Sequence, residues 1–350
     1  KKTALLDRIT PTADYSLFND CDLVIEAVFE DKEIKKVVTE QCDAVTNSQC
    51  IFASNTSTIP ISDLALASKQ PEKFIGIHFF SPVDKMMLVE IILGKETGDE
   101  ALAMAIDYVT AIKKTPIVVN DTRGFYVNRC VMRYLNEAWT MLVEGVPVPM
   151  IDNVAKMAGM PVGPLTLNDA VAIDLSQKVI KQTVADMGET TVDPRHVELI
   201  NKLVDDHGRV GKKAGKGFYD YPPKPAKAKL WPGLKEMYPQ RAVEDVSVQD
   251  LKDRYLYTIA LEAARTVEEG VITDIREADV GAILGFGFAP YTGGPLSFID
   301  ETGLETFCRR AEELASTYGS HFEPPALVRE MASKGETFYG RFAESSAKAA

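Results

Sequence analysis

The first third of the chain consists of short apolar runs separated by stretches with hydrophobic positions every three or four residues. Residues 22–28, 50–54, 74–80, 88–93 and 116–119 are each too short for a helix. The first three are too continuously apolar for half-exposed strands, and they read as strands buried on both faces of a sheet. Residues 30–45 and 100–113 between them read as helices. Strands alternating with helices predict an α/β layer structure with a largely parallel sheet.

After Asn120 the texture changes. Residues 125–144 have a helical period that stops at Gly145, and further helical segments follow to about residue 203. The proline-rich stretch 221–227 reads as an extended linker, and from residue 248 the pattern is helical again. The two helical parts resemble each other. Residues 128–146 align without gaps on 253–271, matching at Arg, Glu, Ala and a terminal Glu-Gly-Val, with Asn128 opposite Asp253. Gly163-Pro164-Leu165 with Asp169 answers Gly294-Pro295-Leu296 with Asp300. This reads as an internal duplication. The expected organisation is an α/β domain at 1–120, a helical domain at 121–222, a linker at 223–246 and a duplicate helical domain at 247–350.

Charge narrows the partners. With 39 Lys+Arg against 51 Asp+Glu the formal net charge is −12 over 350 residues, which argues against nucleic acid or an anionic membrane surface. No apolar run approaches the roughly 20 residues needed to span a bilayer. Cys21, Cys42, Cys50, Cys130 and Cys308 are scattered, without metal-ligand spacing. They read as reduced thiols in a reducing, cytoplasmic compartment, with no metal site expected. The chain opens Lys1-Lys2-Thr3 without Met and reads as the continuation of something longer.

Three features carry candidate chemistry. Ser54-Asn55-Thr56-Ser57 ends a predicted strand, where open parallel sheets bind ligands; capping or a turn would use the same residues. His78 lies inside the most apolar run, whereas His196, His207 and His321 sit in charged or loop-like contexts. Twelve residues on, Glu90 is also embedded in apolar sequence, and a buried carboxylate needs a partner. A His–Glu pair satisfies both groups and suits proton transfer, with structural and catalytic roles both open. Asn128 opens the long helix as either a cap or a group reaching across a domain boundary.

These residues resemble a family. Ser-Asn-Thr-Ser (54–57), His-Phe-Phe-x-Pro (78–82), Leu-Val-Glu-Ile-Ile (88–92) and Asp-x-x-Gly-Phe-x-x-Asn-Arg (121–129) stand in the order found in L-3-hydroxyacyl-CoA dehydrogenases. The segment 211–219 is similar to the Gly-Lys-Gly-Phe-Tyr stretch closing the family's first helical domain. The duplicated helical region further resembles the dehydrogenase part of multifunctional fatty-acid-oxidation proteins, in which an enoyl-CoA hydratase (lyase) region precedes it. The resemblance implies the C-terminal half of a Rossmann-like dinucleotide-binding domain, followed by two duplicated helical domains. It implies NAD as cofactor, a 3-hydroxyacyl-CoA as substrate, and β-oxidation as setting, and it admits a thiolase subunit as partner. By position, His78 would be the base, Glu90 its orienting carboxylate, and Ser57 and Asn128 the groups binding substrate oxygens. Val28, Phe29, Glu30, Lys35, Ser57 and Ser81 would contact the cofactor, with Ser81 standing where the family commonly has Asn. The second copy, with Asp253 for Asn128, reads as a cover replacing a partner subunit.

One departure stands out. No G-x-G-x-x-G links a strand to a helix, and no acidic residue follows at ribose-binding distance. The expectation is that the chain encodes only the second half of the cofactor-binding sheet and binds NAD poorly or not at all. A non-catalytic binding module and an oxidoreductase for small hydroxy acids are the rival readings. The apolar stretch 283–291 reads equally as an acyl-chain wall or as core. Lys212, Lys213 and Lys216 could meet an anionic phosphate, although a solvated charged loop is the commoner use of such residues.

Overall fold

Each of the five apolar runs forms a strand in the computed structural model, which describes residues 2–342. Residues 343–350, at the end of the expected second helical domain, lie outside the described residues. The chain divides into two units. One runs to Asn128 and adds Gly270–Thr273; the other comprises Arg129–Glu269 and the chain from Asp274 onward.

The first unit contains helix α1 (Lys2–Leu6), strand β1 (Leu23–Glu26), helix α2 (Lys32–Asp43), strand β2 (Ile51–Ser54) and helix α3 (Ile61–Ala65). Strands β3 (Phe74–Phe79) and β4 (Leu88–Leu93), helix α4 (Asp99–Ala111) and strand β5 (Thr115–Asn120) follow. Among the described residues the strands form one sheet in the order β1-β2-β3-β4-β5. The pairs β1–β2, β2–β3 and β4–β5 are parallel, whereas β3–β4 is antiparallel. The loop 80–87 joins β3 to β4 without a helix, which an antiparallel neighbour allows and a parallel one does not.

Ile51, Ala53, Ile75, Ile77, Val89 and Ile91 make the core with Ala101, Ala105 and Val109 of α4. The small residues of α4 let that helix sit close on the sheet. β1, expected to be buried on both faces, is half-exposed over Leu23–Ile25, because among the described strands it has a neighbour on one side only. Along β5, Asn120 N–H donates to Val271 O (2.7 Å) and Val119 bridges Ile272, so Gly270–Thr273 lies against that strand.

The second unit is mainly helical. It holds α5 (Val127–Val143, which begins in the first unit), α6 (Val148–Met157), α7 (Pro164–Val171), α8 (Ile173–Met187) and α9 (Pro194–Asn201). The short strands β6 (Tyr219–Asp220) and β7 (Lys229–Leu230) pair, and α10 (Gly233–Met237) buries Leu234. Part of the stretch expected to be a linker is therefore packed structure. Then come α11 (Val248–Glu268), α12 (Ile275–Phe286), α13 (Pro295–Thr302), α14 (Leu304–Tyr318), α15 (Ala326–Lys334) and α16 (Phe338–Arg341).

The duplication is visible bond by bond. Asp152 on α6 accepts from Leu165 N, Thr166 N and the Thr166 and Tyr219 hydroxyls. Asp279 on α12 accepts from Leu296 N, Ser297 N and the Ser297 and Tyr339 hydroxyls. Asp169 takes the amides of Phe218 and Tyr219, as Asp300 takes those of Phe338 and Tyr339. The matched glycines have a steric cause. A Cβ on Gly163 would lie 2.3 Å from Asp152 Cγ, and one on Gly294 2.3 Å from Asp279 Cβ.

The copies also clasp each other reciprocally. Arg129 of α5 binds Glu262 of α11 (Nε–Oε1 2.9 Å) and Glu269, the residue just after that helix. Arg254 of α11 binds Glu137 of α5 (Nε–Oε1 2.5 Å) and Glu144, the residue just after that helix (Nη1–Oε2 2.8 Å). One constant sequence shift relates the two sets. This is the contact pattern of a twofold-symmetric interface, realised within one chain. Burial opposes the charge on Glu137, but Arg254 and His321 hold its carboxyl below the usual range.

Candidate active site

The site lies at the carboxyl ends of β1, β2 and β3, where open α/β sheets bind ligands. Antiparallel pairing sets His78 of β3 directly opposite Glu90 of β4. His78 Nδ1 lies 2.8 Å from Glu90 Oε2, and both side chains are buried. Phe80 and Phe125 flank the imidazole, with ring centroids 4.5 and 6.0 Å away. An ionised carboxylate can only accept, so Nδ1 carries the proton and Nε2 of the neutral ring is an acceptor.

The other carboxylate oxygen serves the start of α5: Glu90 Oε1 accepts from Val127 N (2.8 Å) and Tyr126 N (3.2 Å). The neighbouring Asn128 donates from Nδ2 to Ser57 O (2.8 Å). His78, Glu90, Asn128 and Ser57 are thus joined by hydrogen bonds and one peptide link. The motif 121–129 acquires a physical reading. Asp121 caps α3 through Ile61 N and Ser62 N (2.9 and 2.8 Å). Gly124 and Phe125 take left-handed backbone (φ +73° and +51°) to turn the chain into α5. Asn55 uses its Oδ1 to accept from Phe79 N (2.8 Å), tying the end of β2 to the residue after His78.

The cofactor candidates separate. Val28 and Phe29 are exposed after β1, Phe29 at 82%. Glu30 Oε1 accepts from Ser57 N (2.8 Å), Thr58 N (2.9 Å) and the Thr56 hydroxyl (2.8 Å). Burial opposes its charge, yet the Thr56 hydroxyl, the Lys35 ammonium and the two amides keep its carboxyl below the usual range. Ser81 stands exposed after β3. Lys35 is 1% exposed and pairs with Glu26 (2.8 Å), with Glu30 at 3.5 Å, so its ammonium sits beneath the loop rather than on the surface. Sequence reasoning missed Glu26. The signal was available, because a carboxylate closing an apolar strand demands a partner just as Glu90 does.

These residues fit the nicotinamide end of a dinucleotide. An exposed apolar surface at Val28 and Phe29 adjoins fixed polar groups at the strand ends. No glycine-rich strand-to-helix turn for a pyrophosphate occurs among the described residues. Elsewhere in the second unit, Gly285, Phe288 and Ala289 of the apolar stretch are buried, Ile283, Leu284, Phe286 and Gly287 are half-buried, and Pro290 and Tyr291 are exposed, so the stretch is core only in part. Among the described residues no group of His, Cys, Asp and Glu could hold a metal ion, and no helix is long and apolar enough to cross a membrane.

Comparison with known proteins agrees with this geometry. Residues 1–122 match the family description "3-hydroxyacyl-CoA dehydrogenase, NAD binding domain". The corresponding "C-terminal domain" matches twice, at 124–221 and 251–341. The chain is 40% identical over 343 residues to the fatty acid oxidation complex subunit alpha of Idiomarina loihiensis, covering 97% of this chain and 47% of that protein. It therefore spans about half the length of the curated relatives it matches. Among solved structures it resembles 3-hydroxybutyryl-CoA dehydrogenase from Escherichia coli (TM-score 0.79, 26% identity, 94% of this chain and 85% of that one). It also resembles the dehydrogenase part of multifunctional enzyme 1 from C. elegans (TM-score 0.66, 27% identity, 94% and 76%). The fold and the two domain matches define the class: a chain built from the NAD-binding and C-terminal domains of 3-hydroxyacyl-CoA dehydrogenases. The chain belongs to the 3-hydroxyacyl-CoA dehydrogenase family.

Proposed function

We propose that this chain oxidises an L-3-hydroxyacyl-CoA to the 3-ketoacyl-CoA in fatty-acid β-oxidation, with His78 as base. The carrying observation is the His78 Nδ1–Glu90 Oε2 bond, which leaves Nε2 as a proton acceptor. The 3-hydroxyl proton passes to Nε2 as the C3–H bond breaks, and the resulting imidazolium stays paired with Glu90. The bound nicotinamide, when present, supplies the hydride acceptor. Ser57 and Asn128 are the donors to the substrate oxygen: the Ser57 hydroxyl is not used in the bonds described above. Asn128 Nδ2 has a second proton beyond the one given to Ser57 O. Val28, Phe29, Glu30 and Ser81 line the cofactor side, and Lys35 acts there from beneath.

The expected domain limits, 1–120, 121–222 and 247–350, belong to the same proposal, with 223–246 as a partly packed connection between the helical copies. So do a cytoplasmic setting, which suits the free cysteines, and a thiolase partner that would consume the keto product. Support for that partner is the naming of relatives as subunits of a complex. The hydratase activity rests on the resemblance alone. The test is NADH formation, read by absorbance, when the protein meets NAD and an L-3-hydroxyacyl-CoA. Cofactor binding without turnover would make the chain a binding module instead.

A further inference from the structure

Glu26 closes β1 as a buried carboxylate. Its oxygens accept from Lys35 Nζ (2.8 and 3.1 Å), from Val28 N (3.1 Å) and from the Ser54 hydroxyl. The same ammonium lies 3.5 Å from Glu30 Oε2, so one cation is shared by two carboxylates. Glu30 in turn gathers the hydroxyls of Thr56 and Thr58 and the amides of Ser57 and Thr58. A line of charge therefore runs from the strand end, through α2, to the loop that bears Ser57. Further charges on the same segment are Asp31, which follows Glu30 and caps α2 by accepting from Ile34 N (3.0 Å), and Lys32 and Glu33 in the first turn of α2, Lys32 being paired with Asp63 of α3 (2.8 Å).

We propose that Glu26 is a positioning residue, which divides Lys35 between itself and Glu30 and so fixes how firmly Glu30 holds the Ser57 loop. This deepens the dehydrogenase reading, in which Ser57 binds the substrate oxygen. The shared cation gives the proposal a signature. Removing the charge of Glu26 alone leaves Lys35 wholly to Glu30, which then resists protonation more strongly. Removing both charges strips Glu30 of its cation, and Glu30 protonates more readily. A pair that merely staples β1 to α2 predicts no opposite effects.

The experiment is hydrogen–deuterium exchange of the segment 55–59 in the protein, followed from neutral pH downward, for the parent, Glu26→Gln and Glu26→Gln/Lys35→Met. The double variant buries a neutral pair of matched size and avoids leaving two unpaired carboxylates. Protection of the Ser57 and Thr58 amides should fail about one pH unit higher than in the parent for the double variant. For Glu26→Gln it should fail at a lower pH than in the parent. One common midpoint for all three proteins, or equal loss in both variants at every pH, overturns the proposal. The readout needs neither cofactor nor substrate. Opposite shifts in a protein without turnover would thus support the positioning role while ending the dehydrogenase reading.

Discussion

His78 and Glu90 face each other across two antiparallel strands, with Nδ1 2.8 Å from Oε2 inside the core. The bond orients the ring and fixes its tautomer, leaving Nε2 to accept a proton. His78→Gln keeps a side chain of similar size but supplies no base. Its kcat should fall by roughly 10²–10⁴, with KM changed far less, in steady-state assays of NADH formation.

Glu90→Gln tests the tautomer itself. The amide oxygen can still take the Val127 and Tyr126 amides, and its NH₂ then donates to His78 Nδ1. The proton moves to Nε2, which can no longer act as base. Turnover should drop by on the order of 10³–10⁴ in a protein that still folds, with near-native circular dichroism and a modestly lower Tm. Retained activity would show that the orientation of this proton is immaterial.

Arg254 and Arg129 occupy equivalent places in the reciprocal clasp but differ in burial. Arg254 is 1% exposed in its side chain, against 17% for Arg129. Arg254→Ala leaves Glu137 buried without its main cation and should cost about 3–5 kcal/mol. Arg129→Ala should cost less, about 1–2 kcal/mol, because buried Glu262 keeps Arg133 and Arg265 as partners and Glu269 is exposed. Urea denaturation of both variants measures the difference.

His196 should make stability pH-dependent. Burial drives its pKa down from 6.5 to about 4, and with Thr140 Oγ1 giving its proton to Asn136 O, His196 Nε2 donates to that hydroxyl (2.9 Å). The unfolded chain takes up a proton near pH 6.5 while the folded one does not. Stability contributed by the neutral ring is therefore complete above that pH and is lost as pH falls towards about 4. The full loss is about 3 kcal/mol. His196→Gln should flatten this part of the stability–pH curve; an unchanged slope would remove His196 as its source.

The alternation of apolar runs with helical periods was enough to determine the five strands, the change to helix after Asn120 and the duplication. These follow from local chemistry: β-branched runs suit strands, three- and four-residue spacing suits helices, and repeated anchors recur because each copy solves the same packing problem. The residues 54–57, 78–82, 88–92 and 121–129 were legible as motifs on the same basis. Their mutual geometry was not. A parallel sheet would not have set His78 opposite Glu90; the antiparallel turn at 80–87 does, and sequence period alone does not encode strand direction. Tertiary structure likewise decided that Lys35 is enclosed between Glu26 and Glu30, and that Arg129 and Arg254 exchange partners between the copies. Ion pairs of this kind join residues far apart in sequence. Which cation meets which carboxylate depends on distances that exist only once the chain has folded.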